Sequence, residues 1–181
     1  MPPAPRVGPP PSRSDDPVRG SALGHQPELL DAFQRLYGTL WSRGVLDHPA
    51  KEMARLRNAR VTDCGYCRNV RFATAREQGL GEEVVDLVRD GYQASRLAPR
   101  QKAILRFTDA FLGDPGSVDP ALREEMLRHF SPEEIVELGA GLALFLGFSK
   151  IAVALGQAPA SMPTTVVPTP GLPQDDPEGA A

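Results

Sequence analysis

Cysteine is nearly absent: the 181 residues hold only Cys64 and Cys67. That excludes a multiply disulfide-stapled scaffold and a four-cysteine zinc site. Neither charge is in great excess, with a net charge of −3 and a pI of ≈ 5.6, which argues against a nucleic-acid footprint. Lysine is scarce, limited to Lys51, Lys102 and Lys150 among arginines; a GC-rich genome produces that bias, so no function is read from it. No apolar run approaches the roughly 20 residues of a membrane span. The longest, Leu138 to Phe148, contains three glycines and reads as a buried helix. The first residues are rich in Pro, Arg and Ser without an apolar stretch, unlike a secretory signal. The resulting expectations are a cytoplasmic location, no membrane and no nucleic-acid partner.

What is present fits one globular domain, at 41% hydrophobic and 24% charged residues. Residues 1–21 and the Pro/Ala-rich residues 157–181 are expected to be disordered tails, because neither buries enough apolar surface to offset ordering entropy. Residues 22–156 remain as the folded unit. Leu29, Leu30, Phe33, Leu36, Tyr37 and Leu40 recur at helical spacing behind Pro27, and Asp47 or His48 caps a helix opening at Pro49. Thr62 and Asp63 supply N-cap chemistry for a third helix running from near Cys64 to Gly79. Further helices follow over 82–90, from Pro99 and from Asp119–Pro120. Ser131 to Glu134 is a capping box that opens the most apolar helix. The pattern predicts an all-α domain of about six or seven helices with no strands.

Cys64-Gly65-Tyr66-Cys67 carries the sharp chemistry. Two intervening residues at a helix start let the sulfurs form a reversible disulfide, and the helix dipole favours thiolate over thiol. Arg68 and Arg71 each stand four residues after a cysteine, where a guanidinium favours thiolate further. Zinc would need a second ligand pair, and His25, His48 and His129 lack metal-site spacing, so no metal is expected. Two small buried residues packed at a helix start are the bland alternative. The helix dipole alone favours Cys64 as the nucleophile. Arg55, Arg57 and Arg60 flank an apolar stripe and read as a solvated face. His129 reads as a cation at a helix C-terminus, and the glycines at 139, 141 and 147 as a close helix approach rather than a phosphate loop.

Around this motif the chain resembles the carboxymuconolactone decarboxylase family, in its alkylhydroperoxidase AhpD-like branch. Glu52, eleven residues, then Cys64 and Cys67 match that branch's frame, and Leu23 to Glu28 with Asp47 to Glu52 resemble its entry helices. The resemblance implies an AhpD-like helical fold and reduction of a hydroperoxide or small organic substrate. It implies Cys67 as the attacking thiol, Cys64 as the resolving one, Glu52 as proton-relay carboxylate, an external thiol or dithiol reductant, and a homotrimer or hexamer. No metal, haem or flavin is required. Arg71 occupies the family's His position; an arginine holds a thiolate by charge but stays protonated and shuttles no protons. Two other readings accompany the peroxidase: a carboxymuconolactone-decarboxylase-like enzyme acting on a small organic acid lactone, and a non-catalytic redox-sensing oligomer.

Overall fold

Prolines and capping side chains set most helix starts in the computed structural model, which describes residues 5–11, 18–156 and 162–172. Helix α1 spans Pro27–Ser42, α2 His48–Val61, α3 Gly65–Asn69, α4 Ala73–Glu77, α5 Glu82–Val85, α6 Pro99–Leu112, α7 Pro120–His129 and α8 Pro132–Ala154. Asp47 caps α2 by accepting from the Ala50 N–H at 2.8 Å. Ser131 and Glu134 form the reciprocal capping box of α8. Proline in the first turn of α1, α2, α6, α7 and α8 removes a donor that has no intrahelical partner. The fold is all-α, as the helical periodicity indicates.

Helix α2 is the axis of the molecule and packs on α6 and α8. Every residue from Ala50 to Ala59 is buried, including Lys51, Glu52, Arg55, Arg57 and Asn58. The expected solvated arginine face is therefore wrong for Arg55 and Arg57, and Arg60 is half-buried. The physical reason is that neighbouring elements bring counter-charges. Arg57 meets Asp109 at 2.6 Å and Asp90 at 2.8 Å. Lys51 donates to Glu137 at 2.9 Å and to the Leu40 carbonyl at 2.8 Å. Glu137 in turn accepts from the N–H groups of Val45 at 2.6 Å and Leu46 at 2.9 Å, tying α8 to the α1–α2 turn. Buried charges are tolerated when each is paired and hydrogen-bonded.

Two further differences concern the site. The helix expected from Cys64 to Gly79 is broken: Val70–Phe72 is a strand, β1, between α3 and α4. It pairs in parallel with β2, Thr165–Val167, in the register Val70↔Thr165, Arg71↔Val166 and Phe72↔Val167. The β-branched Thr165, Val166 and Val167 suit an extended chain, so the expected disordered tail does not hold for residues 162–172. The remaining residues of 157–181 lie outside the described ones. In the N-terminal tail, the Arg6 N–H bonds the Leu155 carbonyl at 2.9 Å; residues 1–4 and 12–17 are likewise outside. Helix α8 is buried along Leu138, Gly141, Leu142, Phe145 and Ser149, yet leaves Val136, Ile151 and Val153 exposed. By length and composition it is, among the described residues, the one helix apolar enough to cross a membrane.

Candidate active site

The chain reverses sharply after α2. Asp63 adopts φ +50°, a left-handed conformation that a short polar side chain accepts. This turn places Cys64, rather than Thr62 or Asp63, at the N-cap of α3, where its Sγ accepts from the Cys67 N–H at 3.2 Å. The Asp63 carboxylate pairs outward with Arg68 at 2.9 Å. Cys64 and Cys67 are joined by a disulfide, with α-carbons 5.3 Å apart. Cys64 is fully buried behind Ala59, and Cys67 is 6% exposed.

Cys67 borders a cavity of about 890 Å³, and Cys64 does not. Aromatic rings dominate the lining, with Phe33, Tyr37, Tyr66, Phe72, Phe145 and Phe148 among them. The polar groups nearest the sulfur come from α8 and α2. The Ser149 hydroxyl donates to Cys67 Sγ at 3.4 Å and accepts from Asn58 Nδ2 at 2.9 Å. Burial pushes the Tyr37 phenol up, only partly offset by the Arg55 charge, so it stays a neutral donor at ordinary pH.

Arg55 organises the floor of this cavity. Its Nε and Nη2 grip both oxygens of Glu52 at 2.7 and 2.6 Å. Nη1 donates to the Cys67 carbonyl at 2.7 Å and Nη2 to the Val70 carbonyl at 2.6 Å. Burial opposes the Arg55 charge, and the Glu52 carboxylate more than compensates, so its pKa is raised. Glu52 also accepts from the Phe72 N–H at 3.2 Å. The structure thus places Glu52 behind Arg55, linked to the cysteines through the guanidinium. Arg71 is directed elsewhere: it pairs with Glu82 at 3.1 Å and donates to the carbonyls of Arg68 at 2.7 Å and Val70 at 3.0 Å. Tyr66 is half-buried on the cavity wall.

Sequence reasoning missed Arg55, Asn58 and Ser149 as site residues. Ser149 lies 82 positions from Cys67 in a run of apolar residues and small side chains. Its one local signal is a hydroxyl on the face of α8 that also carries Leu138, Leu142 and Phe145.

These features define an all-helical protein with a C-x-x-C disulfide set at a helix start beside an apolar cavity. The carboxymuconolactone decarboxylase family model matches residues 27–110, from the start of α1 into α6. A protein of unknown function from Agrobacterium tumefaciens, described as a candidate antioxidant-defence AhpD protein, shares the fold with a TM-score of 0.65. It is 24% identical, over 78% of this chain and 98% of that one. A peroxidase-related protein with an alkylhydroperoxidase AhpD core, from Ralstonia eutropha, is 26% identical at a TM-score of 0.65, over 76% of this chain and 73% of that one. An uncharacterized protein of Mycobacterium tuberculosis is 31% identical over 112 residues, 62% of this chain and 39% of that protein. The chain thus spans well under half the length of that curated relative.

Proposed function

We propose that the protein is a thiol-dependent hydroperoxide reductase working through a Cys64–Cys67 dithiol–disulfide cycle. The observation that carries the reading is the asymmetry of the pair: Cys67 Sγ faces the cavity under the Ser149 hydroxyl, and Cys64 is sealed behind it. Access therefore outweighs the helix dipole, which alone would favour Cys64. In the reduced protein the Cys67 thiolate attacks the terminal oxygen of the hydroperoxide. The O–O bond breaks, the alkoxide takes a proton from water and leaves as the alcohol, and Cys67 becomes a sulfenic acid. The Cys64 thiolate then attacks that sulfur, the S–S bond forms, and hydroxide leaves to become water on protonation. An external thiol or dithiol returns two electrons and two protons to regenerate the pair.

Within this cycle Ser149 supports the Cys67 thiolate by hydrogen bonding, with Asn58 holding its oxygen. Glu52 acts through Arg55 as a positioning residue. A homotrimer or hexamer belongs to the same reading, supported by the exposed apolar side chains of α8.

The test is reaction of the fully reduced protein with a hydroperoxide, following free thiols and intact mass. Wild type is expected to lose both thiols and about two mass units as the disulfide forms. A sulfenic acid should be trapped in Cys64→Ser and not in Cys67→Ser. Thiols that persist under excess peroxide would refute the peroxidase and favour a redox-sensing role for the fold.

A further inference from the structure

The cavity beside Cys67 is completed by a segment far from it in sequence. Val167, Pro168, Pro170 and Gly171 line it beside the aromatic residues Tyr37 and Phe72. This segment is fixed at three places. Strand β2 lies in register on β1, the strand that follows the redox helix. Thr169 Oγ1 accepts from the Thr74 N–H at 3.0 Å and donates to Thr74 Oγ1 at 2.8 Å. Farther on, the backbone of Gly171 rests against α1 at Gly38. A Cβ at position 38 would overlap the Gly171 carbonyl oxygen and lie 2.7 Å from its carbonyl carbon and 3.1 Å from Leu172 N.

The wall these residues present has a definite chemistry. Val167 and the two prolines bring apolar side chains to the wall, and the prolines carry no N–H to donate. The charged side chains that border the cavity are already matched. Arg55 is neutralised by Glu52, and Arg19 is paired with Asp31 at 2.8 Å. Among the described residues no unmatched charge lines the cavity, and there a charged ligand would lose its hydration without gaining a counter-ion.

We propose that residues 165–171 are the substrate-selecting wall of the Cys67 cavity: the site takes a compact, uncharged, largely apolar molecule, and this segment sets its size limit. The chemistry at the sulfur rests on the hydroperoxide-reductase reading; the size limit is a property of the cavity. Gly38 is the lever. In the middle of a helix, Gly→Ala ordinarily favours folding, so a loosening seen in Gly38→Ala is due to the collision with Gly171.

The experiment compares alkylation of the reduced full-length protein by iodoacetamide and by N-(1-pyrenyl)maleimide, with peptide mass locating the first label at Cys67. Variants are Gly38→Ala, Thr169→Val and, as a control, Gly139→Ala, where a Cβ meets nothing within 4 Å. Displacing the segment should raise the pyrenylmaleimide rate about tenfold in both Gly38→Ala and Thr169→Val, because the open population follows the lost docking free energy. The iodoacetamide rate should stay within about twofold, and the control should match wild type for both reagents. Unchanged bulky-reagent rates, or equal acceleration of both reagents, would overturn the proposal. Alkylation needs no peroxide turnover, so a protein inert to hydroperoxide still answers this test.

Discussion

Removing Arg55 tests whether the floor of the site is held by a buried ion pair. Arg55→Met takes away two hydrogen bonds to Glu52 and one each to the carbonyls of Cys67 and Val70. Glu52, 1% exposed, keeps the Phe72 N–H at 3.2 Å as its partner. Leaving one member of a buried pair uncompensated costs about 3–5 kcal/mol. For a domain of this size that lowers Tm by about 6–20 °C. Urea unfolding of wild type, Arg55→Met, Glu52→Met and the double variant closes the cycle. In the double variant no stranded charge remains, so its loss should fall short of the sum of the singles by about 2 kcal/mol or more. Arg55→Lys should recover only part of the Arg55→Met loss, because an ammonium keeps the charge beside Glu52 but cannot reproduce the two-pronged grip together with two carbonyls. Additivity of the singles to within about 0.5 kcal/mol would refute the coupled pair.

Two more perturbations separate other parts of the structure. Ser149→Ala removes the donor to Cys67 Sγ, so alkylation of the reduced protein should slow about three- to tenfold near pH 7 and converge with wild type above the thiol range; an equal slowing at every pH would show that the hydroxyl does not stabilise the thiolate. His48 stacks on Trp41 and has a buried Nδ1 without a partner among the described residues. Burial, and then the Lys51 charge, lower its pKa from 6.5. The unfolded chain therefore binds the proton more readily, and stability present above the ordinary histidine range is lost as pH falls through it. Between about pH 7.5 and about pH 5 the Tm of wild type should fall more steeply than that of His48→Phe; parallel declines would remove His48 from the account.

The sequence showed most where local rules govern. The capping box at Ser131, the prolines opening the helices and the C-x-x-C spacing each depend on residues within one turn of one another. Where partners come from far along the chain, reading failed. Nothing near Arg57 announces Asp109, and nothing near Lys51 announces Glu137, so α2 looked like a surface helix although it is the most enclosed one. The break at Val70 was hidden because helix and strand compete closely over a few residues, and the deciding partner, Thr165–Val167, lies 95 residues away. The cysteines of the site were legible; the serine, asparagine and arginine that shape their surroundings were not.

The buried charges of α2 also bear on how the chain behaves before it is folded. A central helix built from leucine and isoleucine would be sticky whenever a folding intermediate exposed it, and such segments drive aggregation. Here the stretch from Lys51 to Arg60 is strongly polar when unpartnered, so a half-formed molecule shows water a well-solvated surface. Arg55 has Glu52 on the same helix, and α6, α8 and the redox turn then bring Asp109 to Arg57, Glu137 to Lys51 and the Cys67 carbonyl to Arg55. A slip of one residue along α2 would strand several of them at once, which penalises misdocked arrangements and makes the native register self-correcting.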